Sequence, residues 1–479
     1  MKAEPVINIG DESRAKERHR RLLLTTFTSV GGRLVSLLTI LISVPMTANY
    51  LGTERYGLWA AIGSLLALLS FADLGIGSGL LNAITECHGR DDLDRARQYV
   101  SSALAMLTAV ATLLGLAFLL VYPWIPWKSV FNVSDQLAVA EAGPATALFF
   151  ICFIVNIPLG VIQRVQQGYQ EGFIDSAWTA ASKLLGLTGL FIVVQLKGGL
   201  PWLVLAVVGL PVLVTCANGI ALFFFRKPSL KPRFEDVSWK YVRRLFDIGF
   251  LFFIVQMAAI VAFSADNLIL AHLIGPQAVT QYAIIYQMFS LGPVLFSMFL
   301  NALWPAYGEA MVRGDSGWIR ATFRRSITIG LCINVPYALL LMIFGNAAAQ
   351  LWVGHQISAS SLVLLAFGIW TMMNSLNGPV AVFLNGANAM RFQAICGSLM
   401  ACLNLLFSIG LTRIVGMSGV IWGSIIAQAI VGLIPSGIYI SRFTRRFTVP
   451  AVGNAPEIES TKIPLPSESA KPTTQAKRV

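Results

Sequence analysis

The chain has 479 residues, 56% of them hydrophobic and 12% charged, with a formal net charge of +12. A soluble domain carries about 25% charged residues. That deficit and a mean hydropathy of +0.70 exclude an ordinary soluble enzyme and point to an all-α polytopic membrane protein. The six cysteines contain no CxxC pair and the four histidines have no ligand spacing, so the sequence offers neither a disulfide framework nor a metal site.

Apolar runs near the roughly 20 residues needed to cross a bilayer fall at 22–48, 57–84, 99–122, 138–162, 174–196, 202–225, 246–271, 282–304, 326–349, 359–385, 392–412 and 419–441. They predict twelve transmembrane helices. The first run is too long for a signal-peptide core and lacks a clear cleavage site. Segments on the N-terminal side of the predicted membrane hold 29 of the 35 Lys and Arg, against 4 on the opposite side. Both termini are therefore expected in the cytoplasm. The basic charge is topological and gives no reason to invoke nucleic acid, although these segments should touch anionic lipid.

The expected layout is a basic N-terminal tail (1–21), a six-helix lobe (22–225), a basic linker (226–245), a second six-helix lobe (246–441) and a cytoplasmic tail (442–479). The tail from about Thr448 is rich in Pro, Ser, Thr and Lys and is expected to be disordered. A shift of 223 positions aligns Gly52 with Gly275, Glu86 with Glu309, Arg90 with Arg313, Asp92 with Asp315 and Arg97 with Arg320. A shift of 218 aligns Gly168 with Gly386 and Gly198 with Gly416. Six helices separate the copies, so the halves are expected as parallel pseudo-repeats around a central cavity.

Ionisable residues within the apolar runs are candidates for function. Arg33 and Asp73 each lie roughly 16 Å from the cytoplasmic ends of their helices, and Lys183 roughly 13 Å, at 1.5 Å per residue. Asp73 can be read as the counter-charge of a packing ion pair with Arg33 or Lys183. It can also be read as a cavity group that a substrate anion displaces, or as a proton carrier. Gly75, Gly77 and Gly79 follow it, and small residues at such spacing permit close helix packing or local bending. Asp266 lies nearer the periplasmic face and is a candidate gate, helix-end contact or coupling site. Arg320, Arg324 and Arg325 open the ninth run as headgroup anchors or as the lining of a cytoplasmic entrance. Glu86 and Glu309 read as helix-end structure. Asparagines such as Asn218, Asn301 and Asn404 suit a sugar-solvating cavity or interhelical hydrogen bonds. Trp and Tyr at 122, 124, 127, 202, 304, 307 and 352 read first as an aromatic belt.

The N-terminal motifs LGTERYGLW, ADLGIGSGL and GRDDLDRAR resemble the signature of Wzx-type polysaccharide flippases. That resemblance implies the fold of the multidrug/oligosaccharidyl-lipid/polysaccharide (MOP) superfamily, in a bacterial inner membrane. It also implies a substrate, a polyprenyl-diphosphate-linked oligosaccharide carried to the periplasmic leaflet for surface polysaccharide biosynthesis. The implied partners are this substrate, membrane lipid and other polysaccharide-assembly proteins, for a monomeric transporter. No cofactor is expected beyond coupling to a proton or sodium gradient. Physically, a diphosphate head needs Arg or Lys where it crosses hydrocarbon. The rival reading is a cation-coupled multidrug antiporter of the same superfamily, which would need an acidic pocket. A polymerase or ligase of the same pathway would be expected to carry a large extracytoplasmic loop or a carboxylate cluster, and the sequence has neither.

Overall fold

The structure is a computed structural model that describes residues 9–69, 72–131, 133, 135–353 and 359–446. The tail expected to be disordered from about Thr448 lies outside the described residues. Among the described residues there is no strand. The long elements are α1 (Ile9–Leu69), α2 (Ile76–Gly89), α3 (Leu93–Val121), α4 (Gln136–Gly168) and α5 (Gly172–Gln195). Then follow α6 (Leu200–Arg226), α7 (Trp239–Leu273), α8 (Pro276–Val312), α9 (Ser316–Val353), α10 (Ser361–Gly386), α11 (Met390–Val415) and α12 (Ser418–Arg442).

Eight of these helices are long and apolar enough to cross a membrane: α3, α4, α5, α6, α8 (from Gln281), α9 (to Leu351), α11 and α12. The other four predicted runs fall on the two limbs of α1, on α2, on α7 and on α10. Several helices outrun their apolar stretches at the basic end. The first begins at Ile9, within the segment read as a tail, and α8 continues to Val312. Helix propagation needs only backbone hydrogen bonds and residues of fair propensity. Hydropathy therefore marks the membrane part of a helix and misses its wet end.

Two breaks shape the first lobe. Gly52 (φ +72, ψ 176) divides α1 into two limbs, a conformation close to glycine-only. The second break corrects the reading of 57–84 as one helix. The chain turns at 72–75, with Leu74 at φ +49 and Gly75 at φ +74. Asp73 Oδ1 accepts the Gly75 N–H at 3.0 Å and Asp73 O accepts the Ile76 N–H at 2.9 Å. The aspartate thus satisfies a donor that a continuous helix would have bonded within itself.

Local geometry recurs at the predicted offsets. Gly52 and Gly275 both have positive φ. Asp92 accepts the Arg95 N–H and Asp315 the Trp318 N–H, each as an N-cap of the following helix. The i,i+4 pairs Glu86–Arg90 (3.2 Å) and Glu309–Arg313 (2.9 Å) match as well. A wider helical turn at Leu205–Gly209 returns at Gln428–Leu433.

The linker is not a free tether. Leu230 is fully buried. Arg97 pairs with Asp236 at 2.8 Å. The N–H groups of Arg233 and Ser238 donate to the hydroxyls of Ser101 and Ser102 on α3.

Candidate functional site

A cavity of about 400 Å³ lies between α1, α4 and α5 of the first lobe and α8 of the second. Its α1 wall is a stripe: Arg21, Thr25, Ser29, Gly32 and Ser36 recur at the three- and four-residue spacing of one helix face, with Arg33 beside them. Ser29 and Ser176 hydroxyls meet at 3.1 Å, which holds α1 against α5. Gln163, Arg164 and Gln167 come from the end of α4, Gln170 from the turn after it, and Asp175, Ser176 and Thr179 from α5. Asn301 and Trp304 close the α8 side. The lining therefore carries three arginines and one carboxylate. The polar residues that would crowd that carboxylate are arranged around it: Gln163 donates to Asp175 Oδ2 at 2.9 Å and Gln167 at 3.4 Å.

Arg164 is shared between this cavity and a second one of about 370 Å³, lined also by Asp73, Gly77, Phe153 and Asn156. Asp73 and Asp175 both act electrostatically on its guanidinium. The three glycines after Asp73 now have separate reasons. A Cβ at Gly75 would overlap the Gly249 carbonyl of α7, and one at Gly79 would lie 3.1 Å from the Leu245 carbonyl, so these two let the lobes' backbones approach. A Cβ at Gly77 would lie 2.9 Å from Asp73 Oδ2 and 3.0 Å from Arg164 Nε. Gly77 leaves room for the aspartate and the arginine to converge.

The structure therefore brings Arg33 to the main cavity and Asp73 to the adjoining one. The cation that Asp73 influences there is Arg164, near it but with no ion pair within 4 Å, where pairing with Arg33 or Lys183 was expected. Lys183 is exposed on α5 one turn beyond Thr179 and is absent from the lining of either cavity. Asp266 is buried in the second lobe, away from both cavities. Tyr282 Oη donates to its Oδ2 at 2.8 Å, and its Oδ1 has no hydrogen-bond partner. Around Tyr282 are the rings of Tyr286, stacked on it, and Phe367, tilted against it, with Trp370 packed against both of those. Arg320, Arg324 and Arg325 are exposed on α9. Trp304 and Tyr307 leave the expected aromatic belt: Trp304 donates to Asn82 at 2.7 Å and Tyr307 is fully buried. Trp124 and Trp202 remain exposed.

Arg164 and Arg21 were missed as site residues because each was counted with flanking segments at the basic end. The usable signal was QRVQQGYQ, where Gln163 and Gln167 repeat at i,i+4 on a helix that continues past its apolar run.

At the basic end, polar contacts tie the lobes together. Gln170 donates to Glu309 at 2.5 Å, and Arg313 bonds Glu309, the His88 carbonyl and Asp91. Asn82 donates to the Asn385 carbonyl and to Asn388. Glu309, read as helix-end structure, is thus also the hub of an interlobe latch. His88 lies past the apolar run of α2, with its ring 4.9 Å from that of Tyr169. Burial lowers its pKa below 6.5, and Lys227, Arg21 and Arg313 act in the same direction against Glu309. The folded chain thus binds fewer protons at this site than the unfolded chain. Stability should fall as pH drops below about 6.5 toward the folded pKa and be unaffected above it. Melting in detergent across that window checks this, and His88→Gln should flatten the His88 contribution.

Residues 23–311 match the sequence family described as "Polysaccharide biosynthesis protein". A protein named as an O-antigen transporter in Salmonella typhimurium is 23% identical over 401 residues, covering 81% of this chain and 89% of that protein. A membrane protein of Bacillus subtilis, EpsK, is 21% identical over 85% of this chain and 81% of its own length. Among solved structures, a MATE transporter in its bent conformation superposes with a TM-score of 0.74 at 16% identity, over 92% of this chain and 99% of that one. A MOP superfamily transporter from Pyrococcus furiosus superposes with a TM-score of 0.73 at 15% identity, over 90% and 96%. With more than half of its length inside the family match and the two-lobed helical fold of the MOP transporters, the chain belongs to the polysaccharide biosynthesis protein family, as a Wzx-type multi-pass membrane protein of the MOP superfamily.

Proposed function

We propose that this transporter carries a polyprenyl-diphosphate-linked oligosaccharide from the cytoplasmic to the periplasmic leaflet of the inner membrane by alternating access. The observation that carries the reading is the interlobe cavity with Arg21, Arg33 and Arg164 against the single carboxylate Asp175. A forked guanidinium matches a phosphate bidentately, and the glutamines, serines and asparagine of the same lining suit hydroxyls of a sugar. A cavity for cationic drugs would need the opposite charge balance, which favours the glycan reading over the antiporter. If the basic end faces the cytoplasm, as the distribution of Lys and Arg predicts, the Glu309–Arg313 latch closes the cytoplasmic side.

Arg33→Ala should abolish glycan export while the protein still accumulates in the membrane, and Arg33→Lys should retain part of it, because Lys keeps the charge without the fork. Mass spectrometry of lipid-linked sugars, with surface glycan measured in parallel, reads both. Near-normal surface glycan with Arg33→Ala would remove Arg33 from the site. Unchanged glycans with altered drug tolerance on deletion of the whole protein would favour the antiporter.

A further inference from the structure

We propose that the outer face of α9 is a binding site for an anionic phospholipid of the surrounding bilayer, with Arg324 and Arg325 holding the phosphodiester. The two arginines sit with Ala321, Thr328 and Ile329 around a groove of about 420 Å³ open to the surface. The face of α9 that packs into its own lobe carries buried Ile319, Ser326, Asn334, Ala338 and Leu341, against α8 and α10. The arginines point the other way. Among the described residues, neither has a carboxylate within ion-pair distance, whereas Arg97, Arg244 and Arg313 at the same end are all paired.

What lies below the arginines identifies the ligand. Along the same face come exposed Ile329, Ile333, Leu339, Leu340, Ile343 and Phe344. A sugar-conducting wall would be polar; this one suits hydrocarbon. From Ile329 to Phe344 the stripe runs roughly 22 Å at 1.5 Å per residue, enough to cover the roughly 15 Å of one leaflet of the hydrocarbon core. Head and tail are therefore matched at one position: two forked cations at headgroup height over one leaflet's depth of apolar surface. A zwitterionic lipid brings its own cation to the phosphate, so the site selects a net negative head. Arg320, one turn nearer the basic end, donates weakly to the Ser316 carbonyl at 3.4 Å and lies outside the groove.

The test is native mass spectrometry of the purified protein titrated with phosphatidylglycerol or with phosphatidylcholine. The wild type should retain phosphatidylglycerol preferentially, and Arg324→Gln/Arg325→Gln should weaken that binding about 30-fold, the effect of removing two basic residues near an anionic surface. Arg243→Gln, an exposed arginine at the same end, should leave it unchanged. Should the double variant fail to accumulate, Thr328→Glu places a carboxylate in the groove with both arginines intact, and should likewise remove the preference. Equal retention of the two lipids by the wild type, or undiminished phosphatidylglycerol binding in the double variant or in Thr328→Glu, overturns the proposal. Displacement of the lipid by inorganic diphosphate also overturns it, in favour of a soluble anion.

Discussion

Arg164→Gln should stop glycan export in a chain that still folds and inserts, as complete a loss as that expected of Arg33→Ala. Arg164 is the one arginine common to both cavities. It sits between Asp73, in the break after α1, and Asp175 on α5. Charge-assisted hydrogen bonds of the kind it would give a diphosphate are worth about 1.5–3 kcal/mol each, or roughly 10- to 150-fold in affinity. Asp73→Asn should behave differently. It leaves Arg164 with a cation's desolvation cost and one carboxylate fewer, so the chain should lose stability. The loss should be smaller than the about 3–5 kcal/mol of a fully buried pair, because Asp175 still faces the guanidinium. Combining Asp73→Asn with Arg164→Gln should recover most of that stability and none of the export. Thermal melting of the two single variants and the double one reads the coupling. Strictly additive stability losses would defeat the Asp73–Arg164 pairing, whatever happens to transport.

Gly75→Ala should be strongly destabilising. Its φ of +74 already disfavours a side chain. The added Cβ would overlap the Gly249 carbonyl oxygen and lie 2.9 Å from the Phe253 nitrogen, both backbone atoms of α7. Neither can turn aside as a flexible side chain would, so α2 and α7 must separate. Gly52→Ala is the control. It has a comparable φ of +72 but nothing within 4 Å of the added carbon, so it should cost only the backbone term of about 1–3 kcal/mol. The difference between the two melting temperatures isolates the interlobe contact. If Gly75→Ala melts no lower than Gly52→Ala, the lobes do not depend on that approach. Failure to accumulate in the membrane, with Gly52→Ala abundant, would agree with the prediction.

Much of this architecture was legible in the sequence because it depends on short-range physics. Bilayer-length apolar runs and capping residues such as Asp92 and Asp315 each act within a few positions of themselves. That is why the 223-residue offset also located matching helix ends. Arg33 stood out for the same reason: a cation within an apolar run is costly wherever its neighbours lie. The tertiary structure alone decided which charges lie near one another. Asp73 and Arg164 are 91 positions apart, and Arg164 was hidden in the wet end of a helix that hydropathy had cut short. Asp266 found a tyrosine and aromatic rings, and Lys183 reached neither cavity. The motif ADLGIGSGL fits an intact helix with small packing residues as well as it fits a broken one. The approach of the α7 backbone to Gly75 and Gly79, and the space over Gly77 for two opposite charges, separate those alternatives. Pairing and close approach are properties of two segments at once, and a single segment's composition carries no record of its partner.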